Sequence, residues 1–414
     1  MQTKIDSCEY QKLLKEYEAY KKSGLSLDMS RGKPSKAQLD LSNGLFDELT
    51  SSSCFVGTFD YRNYGALDGI PEAKKLFAEL AEVGENEISV LGNSSLNIMY
   101  DTLQRAMQFG VLGQEPFNKQ GKLKWLCPVP GYDRHFAITE LFGFEMINIP
   151  MTAEGPDMDL VEEYVKDPTV KGIWCVPKYS NPEGIVYSDE VVRRFAALAP
   201  AAKDFRIYWD NAYMIHYVSE EVTLLNLWDE AKARHNEDIV YAFGSTSKIT
   251  FAGGGVAFMI ASEKNLKSLN SLMSLQTIGP NKLNQLAHVR FFKGKEGLMA
   301  QMAKHAALMQ PKFEAVLTTL SENLTGFARW IEPKGGYFVS VNLENGTAKR
   351  TVQLAKEMGV IFTAAGATYP YHHDPDDSNV RIAPSLPEPD ELKTAMKVFC
   401  VAAKIAYYEK HLNA

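Results

Sequence analysis

Seven short apolar segments recur through the middle of this chain, and their spacing constrains the fold more than any other feature. They lie near Ile88–Leu91, Leu123–Pro128, Glu145–Ile149, Gly172–Val176, Phe205–Trp209, Ile239–Phe243 and Val256–Ile260. Helix-like stretches such as Glu72–Glu82, Leu96–Phe109 and Asp189–Ala197 separate most of them. Strands alternating with helices predict βαβ units and a mainly parallel sheet. The segments are continuously apolar rather than alternating, which suits a sheet covered on both faces. The expectation is an α/β fold with a seven-stranded, mainly parallel sheet and helices on both of its faces.

With 414 residues, one large domain plus a smaller one is expected. The flanks read differently from the middle. A polar, helix-like stretch from Met1 to Lys22 and a loop segment over Gly24–Leu45 precede the sheet. After about Lys293 come a long helical stretch through Leu324, an alternating Trp330–Val341 containing Gly335 and Gly336, and a helical Thr351–Glu357. A strand-like Val360–Thr363, a loop and a final helix from Glu388 follow. Residues 1–50 and 293–414 are therefore assigned to a small α+β domain built from both chain ends, and residues 51–292 to a large domain.

A net charge of −7 argues against nucleic acid as a partner, because phosphate backbones select basic surfaces. No apolar run is long enough to span a membrane, and no hydrophobic leader is visible. The five cysteines are scattered and never spaced as metal ligands, which fits reduced thiols in the cytoplasm. His372, His373, Asp374, Asp376 and Asp377 crowd one Pro/Asp-rich loop, but adjacent histidines point in different directions. A solvated or lid-like loop is expected there, and no metal.

The chemistry gathers after strand ends, where open α/β sheets place their ligands. Lys248 follows an apolar strand and Ser245, Thr246 and Ser247, and precedes Gly253–Gly255. That setting offers an amine beside groups able to hold a phosphate, as an enzyme built on pyridoxal phosphate requires. Alone it also reads as a strand, a turn and a solvated lysine. Asp210 ends the fifth segment and suits a protonated pyridine nitrogen, or a helix N-cap. Tyr213 lies three residues on. Asn181, in Asn181-Pro182-Glu183-Gly184, reads as a tight turn or as an amide aimed at the same ligand. Arg381 presents a planar fork matched to a carboxylate, or to a surface ion pair.

Together, Asn-Pro-x-Gly, Asp-x-Ala-Tyr, Ser-x-Ser-Lys and Asn-x-Arg-Ile resemble the fold-type I pyridoxal-phosphate aminotransferases, in order and approximate spacing. The resemblance runs from about Gly32 to Ser385. Ser30-Arg31-Gly32-Lys33-Pro34 and the segment Ala242–Phe251 are similar to a divergent bacterial aspartate aminotransferase-like branch related to the aminotransferase module of MocR-type regulators. The resemblance implies further roles. Asn93, Ser94 and Ser95 match the phosphate loop, with Ser245 and Ser247 as further phosphate ligands. Tyr132 matches the aromatic residue stacked on the cofactor ring, and Tyr64 a tyrosine reaching the phosphate of the neighbouring subunit. A homodimer with shared active sites follows. Asn181 and Tyr213 face the cofactor's phenolic oxygen, while Arg381, with Gly32, takes the substrate α-carboxylate. One departure stands out: the arginine usual eight residues after the lysine is Val256 here, which leaves the glycine run to supply backbone N–H groups.

The implied reaction is ping-pong transamination between aspartate or glutamate and a 2-oxo acid, with Lys248 as the proton carrier. A distal carboxylate needs a second cation, for which Arg134 is the first candidate and Lys282 and Arg31 the next. A broad-range aromatic or aminoadipate aminotransferase, a β-lyase or a decarboxylase would share this machinery. A non-catalytic ligand-sensing module is the alternative outside enzymes. Those regulators carry a basic helix-turn-helix domain in front, and about thirty residues precede Arg31 here.

Overall fold

The computed structural model describes residues 7–412, so the first residues of the Met1–Lys22 stretch lie outside the described residues. All seven anticipated segments form strands of one sheet. They are β1 (Ile88–Val90), β2 (Lys124–Val129), β3 (Glu145–Thr152), β5 (Val170–Cys175), β6 (Arg206–Asp210), β7 (Val240–Ser245) and β8 (Ala257–Ile260). A two-residue strand, β4 (Gly155–Pro156), folds back on β3 as an eighth member that the sequence pattern did not reveal. The spatial order is β1-β8-β7-β6-β5-β2-β3-β4. Pairings from β7 through β3 are parallel, and β8 runs antiparallel between β7 and β1.

The period-two pleat explains why these strands are apolar along their whole length. Leu126, Ile173, Cys175, Ile207 and Trp209 enter one core, with the helix over Pro71–Ala81 and the helix over Asp189–Ala196. Their neighbours Trp125, Cys127, Trp174 and Tyr208 enter a second core beneath the helix over Ser95–Phe109.

A third core draws on both ends of the chain. It combines Leu13 and Met29 with the later turns of the helix over Lys295–Leu324 and with the helix over Pro389–Leu412. Between these lies an antiparallel sheet of β9 (Arg329–Trp330), β10 (Val339–Asn342) and β11 (Asn379–Ile382). Leu298 and Met302, near the start of the long helix, pack instead on the sheet's first core. Gly335 and Gly336 clasp this unit to the large sheet. Gly336 N donates to His216 O at 2.8 Å, and a Cβ on Gly335 would lie 2.3 Å from the same oxygen. The loop carrying His372 and His373 is more built than expected. Asp374 is buried and its carboxylate accepts from the N–H groups of Asp376, Ser378 and Asn379. No helix among the described residues is long and apolar enough to cross a membrane.

Candidate active site

The carboxyl ends of the parallel strands open onto a cavity of about 560 Å³. Ser94 and Ser95 reach it after β1, Tyr132 and Arg134 after β2, and Asn181 after β5. Asp210 ends β6, Ser245 ends β7, and Ser247 and Lys248 follow. The antiparallel unit contributes Phe338 and Arg381, and the N-terminal loop Arg31 and Gly32.

Lys248 sits in a single helical turn in which Ile249 N and Thr250 N both donate to Thr246 O. The loop is closed at its base, where Thr246 N donates to Val256 O at 2.8 Å and Val256 N to Thr246 Oγ1 at 2.9 Å. Two imidazoles brace it from below: His305 Nε2 donates to Ile249 O, and His288 Nε2 lies 2.9 Å from Thr250 Oγ1. Burial holds both histidines below their ordinary pKa, and so neutral. Tyr337 donates its hydroxyl to Lys248 O at 3.3 Å. The backbone is thus fixed while Nζ stands 4.7 Å from the centre of the Tyr213 ring. Burial lowers the lysine's pKa, and the Asp210 carboxylate opposes part of that fall. A lysine shifted this way can act as a base nearer neutral pH.

Asp210 is buried, and its two oxygens have different fates. Oδ2 accepts from His135 Nε2 at 3.0 Å, and that imidazole lies flat on Trp174 with ring centres 4.4 Å apart. Oδ1 has no hydrogen-bond partner among the described residues. A buried carboxylate oxygen without a donor is costly, so a donor belongs there. The protonated ring nitrogen of pyridoxal phosphate is such a donor, and the residues present fit that cofactor. Burial, reinforced by Asp210 and Asp133, pushes the Tyr132 hydroxyl to about 12. Burial also raises Tyr213, so both phenols are hydrogen-bond donors at neutral pH.

For the phosphate, Ser94 is the N-cap of the helix over Ser95–Phe109, yet its side chain makes no capping hydrogen bond. The hydroxyl and the free N–H groups of that first turn suit an anion. Two expectations need correction here. Asn93 is exposed and lies beside a neighbouring cleft; its backbone carbonyl accepts from Ser247 Oγ at 3.2 Å. The Gly253–Gly255 run does not line the cavity. The carbonyls of Gly254 and Gly255 are held by Asn284, and a Cβ on Gly255 would lie 3.1 Å from Ser247 N, so this glycine serves close packing under Ser247. Val256 is core, paired with Thr246.

Arg381, on β11, is 7% exposed. Its Nη1 donates to Asp133 Oδ1 at 3.0 Å and to Asn181 Oδ1 at 3.3 Å. Phe338 lies under the guanidinium, 4.7 Å from ring centre to Cζ. Gly32 makes room for that ring, because a Cβ there would lie 2.6 Å from Phe338 Cζ. Arg134 and Arg31 are exposed at the cavity wall. Lys282 is not: its Nζ turns away to donate to Gly65 O. Tyr64 is 78% exposed and does not line the cavity of its own chain.

Sequence reasoning passed over Asp133, His135, Tyr337 and Phe338. The first two flank Arg134 in the opening turn of the helix over Asp133–Leu141, directly after Tyr132. An acid and an imidazole close behind Tyr132 were the available signal.

The family model described as "Aspartate amino-transferase" matches residues 3–414. The aspartate aminotransferase of Corynebacterium glutamicum is 44% identical over 411 residues, covering 98% of this chain and 95% of that protein. A crystal structure of an aspartate transaminase from the same species superposes with a TM-score of 0.95 at 44% identity, covering 98% and 96% of the two chains. At 20% identity the fold is still shared with α-aminoadipate aminotransferase from Thermus thermophilus, solved with N-(5′-phosphopyridoxyl)-L-leucine; the TM-score is 0.74 and 95% of each chain is covered. By sequence over nearly its whole length, and by fold, this chain belongs to the aspartate aminotransferase family, among the fold-type I enzymes of pyridoxal phosphate.

Proposed function

We propose that this protein transfers an amino group between aspartate or glutamate and a 2-oxo acid, in two half-reactions at one site. The observation that carries the reading is convergence: the Lys248 amine, the free Asp210 oxygen and the Arg381 guanidinium all meet in one cavity. Pyridoxal phosphate, when bound, supplies a ring that withdraws electrons from the substrate α-carbon. Asp210, fixed by His135, holds the ring nitrogen protonated. Ser94, Ser95, Ser245 and Ser247 take the phosphate, and Tyr132 covers the ring. Tyr213 donates to the phenolic oxygen, and so does the Asn181 amide, whose Oδ1 is already given to Arg381. Arg381 binds the substrate α-carboxylate beside Gly32. With the cofactor bound, Lys248 Nζ would be the group that accepts and delivers the substrate's α-proton.

Arg134 or Arg31, both at the cavity wall, would receive a distal carboxylate. The division into residues 51–292 and a small domain from 1–50 and 293–414 belongs to the same reading, as does a cytoplasmic location. So does a homodimer in which Tyr64 completes the partner's phosphate site; its exposure supports this. The test is a stopped-flow comparison of half-reactions with aspartate, glutamate, alanine and phenylalanine. Aspartate and glutamate should react fastest, and Lys248→Ala should abolish turnover. Faster reaction with phenylalanine would defeat the dicarboxylate assignment.

A further inference from the structure

Arg381 has an anionic partner within the chain itself. Asp133 Oδ1 lies 3.0 Å from Nη1, and Asn181 Oδ1 takes the same nitrogen at 3.3 Å. Both Nη1 hydrogens are then committed. Among the described residues, Nε is buried without a partner and Nη2 has no acceptor. Of the five guanidinium donors, those on Nε and Nη2 are left for a ligand. Asp133 is held in place by more than this pair. It opens a helix, where the macrodipole favours an anion, and that helix is anchored two residues later by the His135–Asp210 hydrogen bond.

A guanidinium as buried as this one would be costly to leave unpaired. It would also grip a carboxylate strongly, since little water screens it. We infer that Asp133 is the resident counter-charge of the substrate clamp: it neutralises Arg381 between substrates and weakens the arginine's hold on the carboxylate of each substrate and product. A ping-pong enzyme releases a carboxylate product through the same arginine twice per cycle, so a moderated grip serves turnover. The inference rests on the reading of Arg381 as the carboxylate clamp.

The sign of the effect separates this role from a merely structural one. Asp133→Asn keeps the shape and an acceptor for Nη1 but removes the charge. Binding of succinate, a dicarboxylate with no amino or keto group to react, is measured by calorimetry on the cofactor-loaded protein. Succinate should bind roughly tenfold more tightly to Asp133→Asn than to the wild type. The KM for aspartate should fall with it, while the visible absorbance of the bound cofactor stays unchanged. A residue that only props up the fold would give weaker binding, and an unchanged or weaker succinate affinity overturns the inference. Arg381→Leu supplies the separate control. If it binds succinate as tightly as the wild type, the clamp assignment itself is wrong, and the role of Asp133 falls with it.

Discussion

His135 takes one oxygen of the Asp210 carboxylate, and the other is the one proposed above to meet the cofactor nitrogen. Glu183 is the contrasting acid. It occupies the variable position of Asn-Pro-x-Gly, is 9% exposed, and its Oε2 has no partner among the described residues. Burial pushes its carboxyl up to about 7. Because the folded-state value is raised, the proton-linked stability is complete below about pH 4.5 and is lost as pH rises through about 7. Glu183→Gln should therefore match the wild type in acid and exceed it above neutrality, by on the order of 3 kcal/mol. Denaturant titrations at several pH values measure the difference; a constant offset would contradict the linkage. Lys248, Asp210, Tyr213 and Asn181 were legible in the sequence because each follows a strand end closely. His135 was not, because its partner lies 75 residues away and only the parallel order of β2, β5 and β6 brings the two together.

Among the elements, the seven longer strands of the main sheet were readable because side chains from both faces are apolar, and of these only the ends shifted. The contact that sets the closeness of β2, β5 and β6 was not readable. Gly172, in β5, lies where a Cβ would stand 2.4 Å from the Trp125 ring and 2.8 Å from Arg206 O. The first neighbour is a fully buried indole wedged against Trp174 and Tyr208, and the second is backbone; neither can retreat. Gly172→Ala should destabilise the protein by about 1–3 kcal/mol through overpacking. A matching fall in the denaturation midpoint is the check, and wild-type stability would show that the sheet can dilate there.

At the scale of the molecule, Phe46, Tyr64, Leu275 and Ile278 are all more than half exposed. The loops bearing Tyr64 and Ile278 touch, since a Cβ on Gly279 would lie 2.4 Å from Gly65 O. Such apolar exposure around the touching Tyr64 and Ile278 loops supports the proposed dimer. Leu275→Arg with Ile278→Arg should yield monomers in sedimentation and release the cofactor on dialysis. A monomer that keeps its cofactor would argue against a site completed by the partner's Tyr64. The union of the two chain ends was visible only in outline. Its seams are two-residue pairings such as Leu27 with Val360, too short to leave a periodic signal.

The antiparallel direction of β8 has one more consequence. A parallel strand after β7 would need a crossover, carrying the chain away from the ligand-facing edge. Because β8 turns straight back, residues 247–255 form a loop with both feet set in adjacent strands, at Ser245 and Ala257. The reach of Lys248 is then fixed by contour length. The hairpin is pinned at its base by the Thr246–Val256 pair, so the lysine's place is set by two adjacent strands rather than by the glycines that follow it.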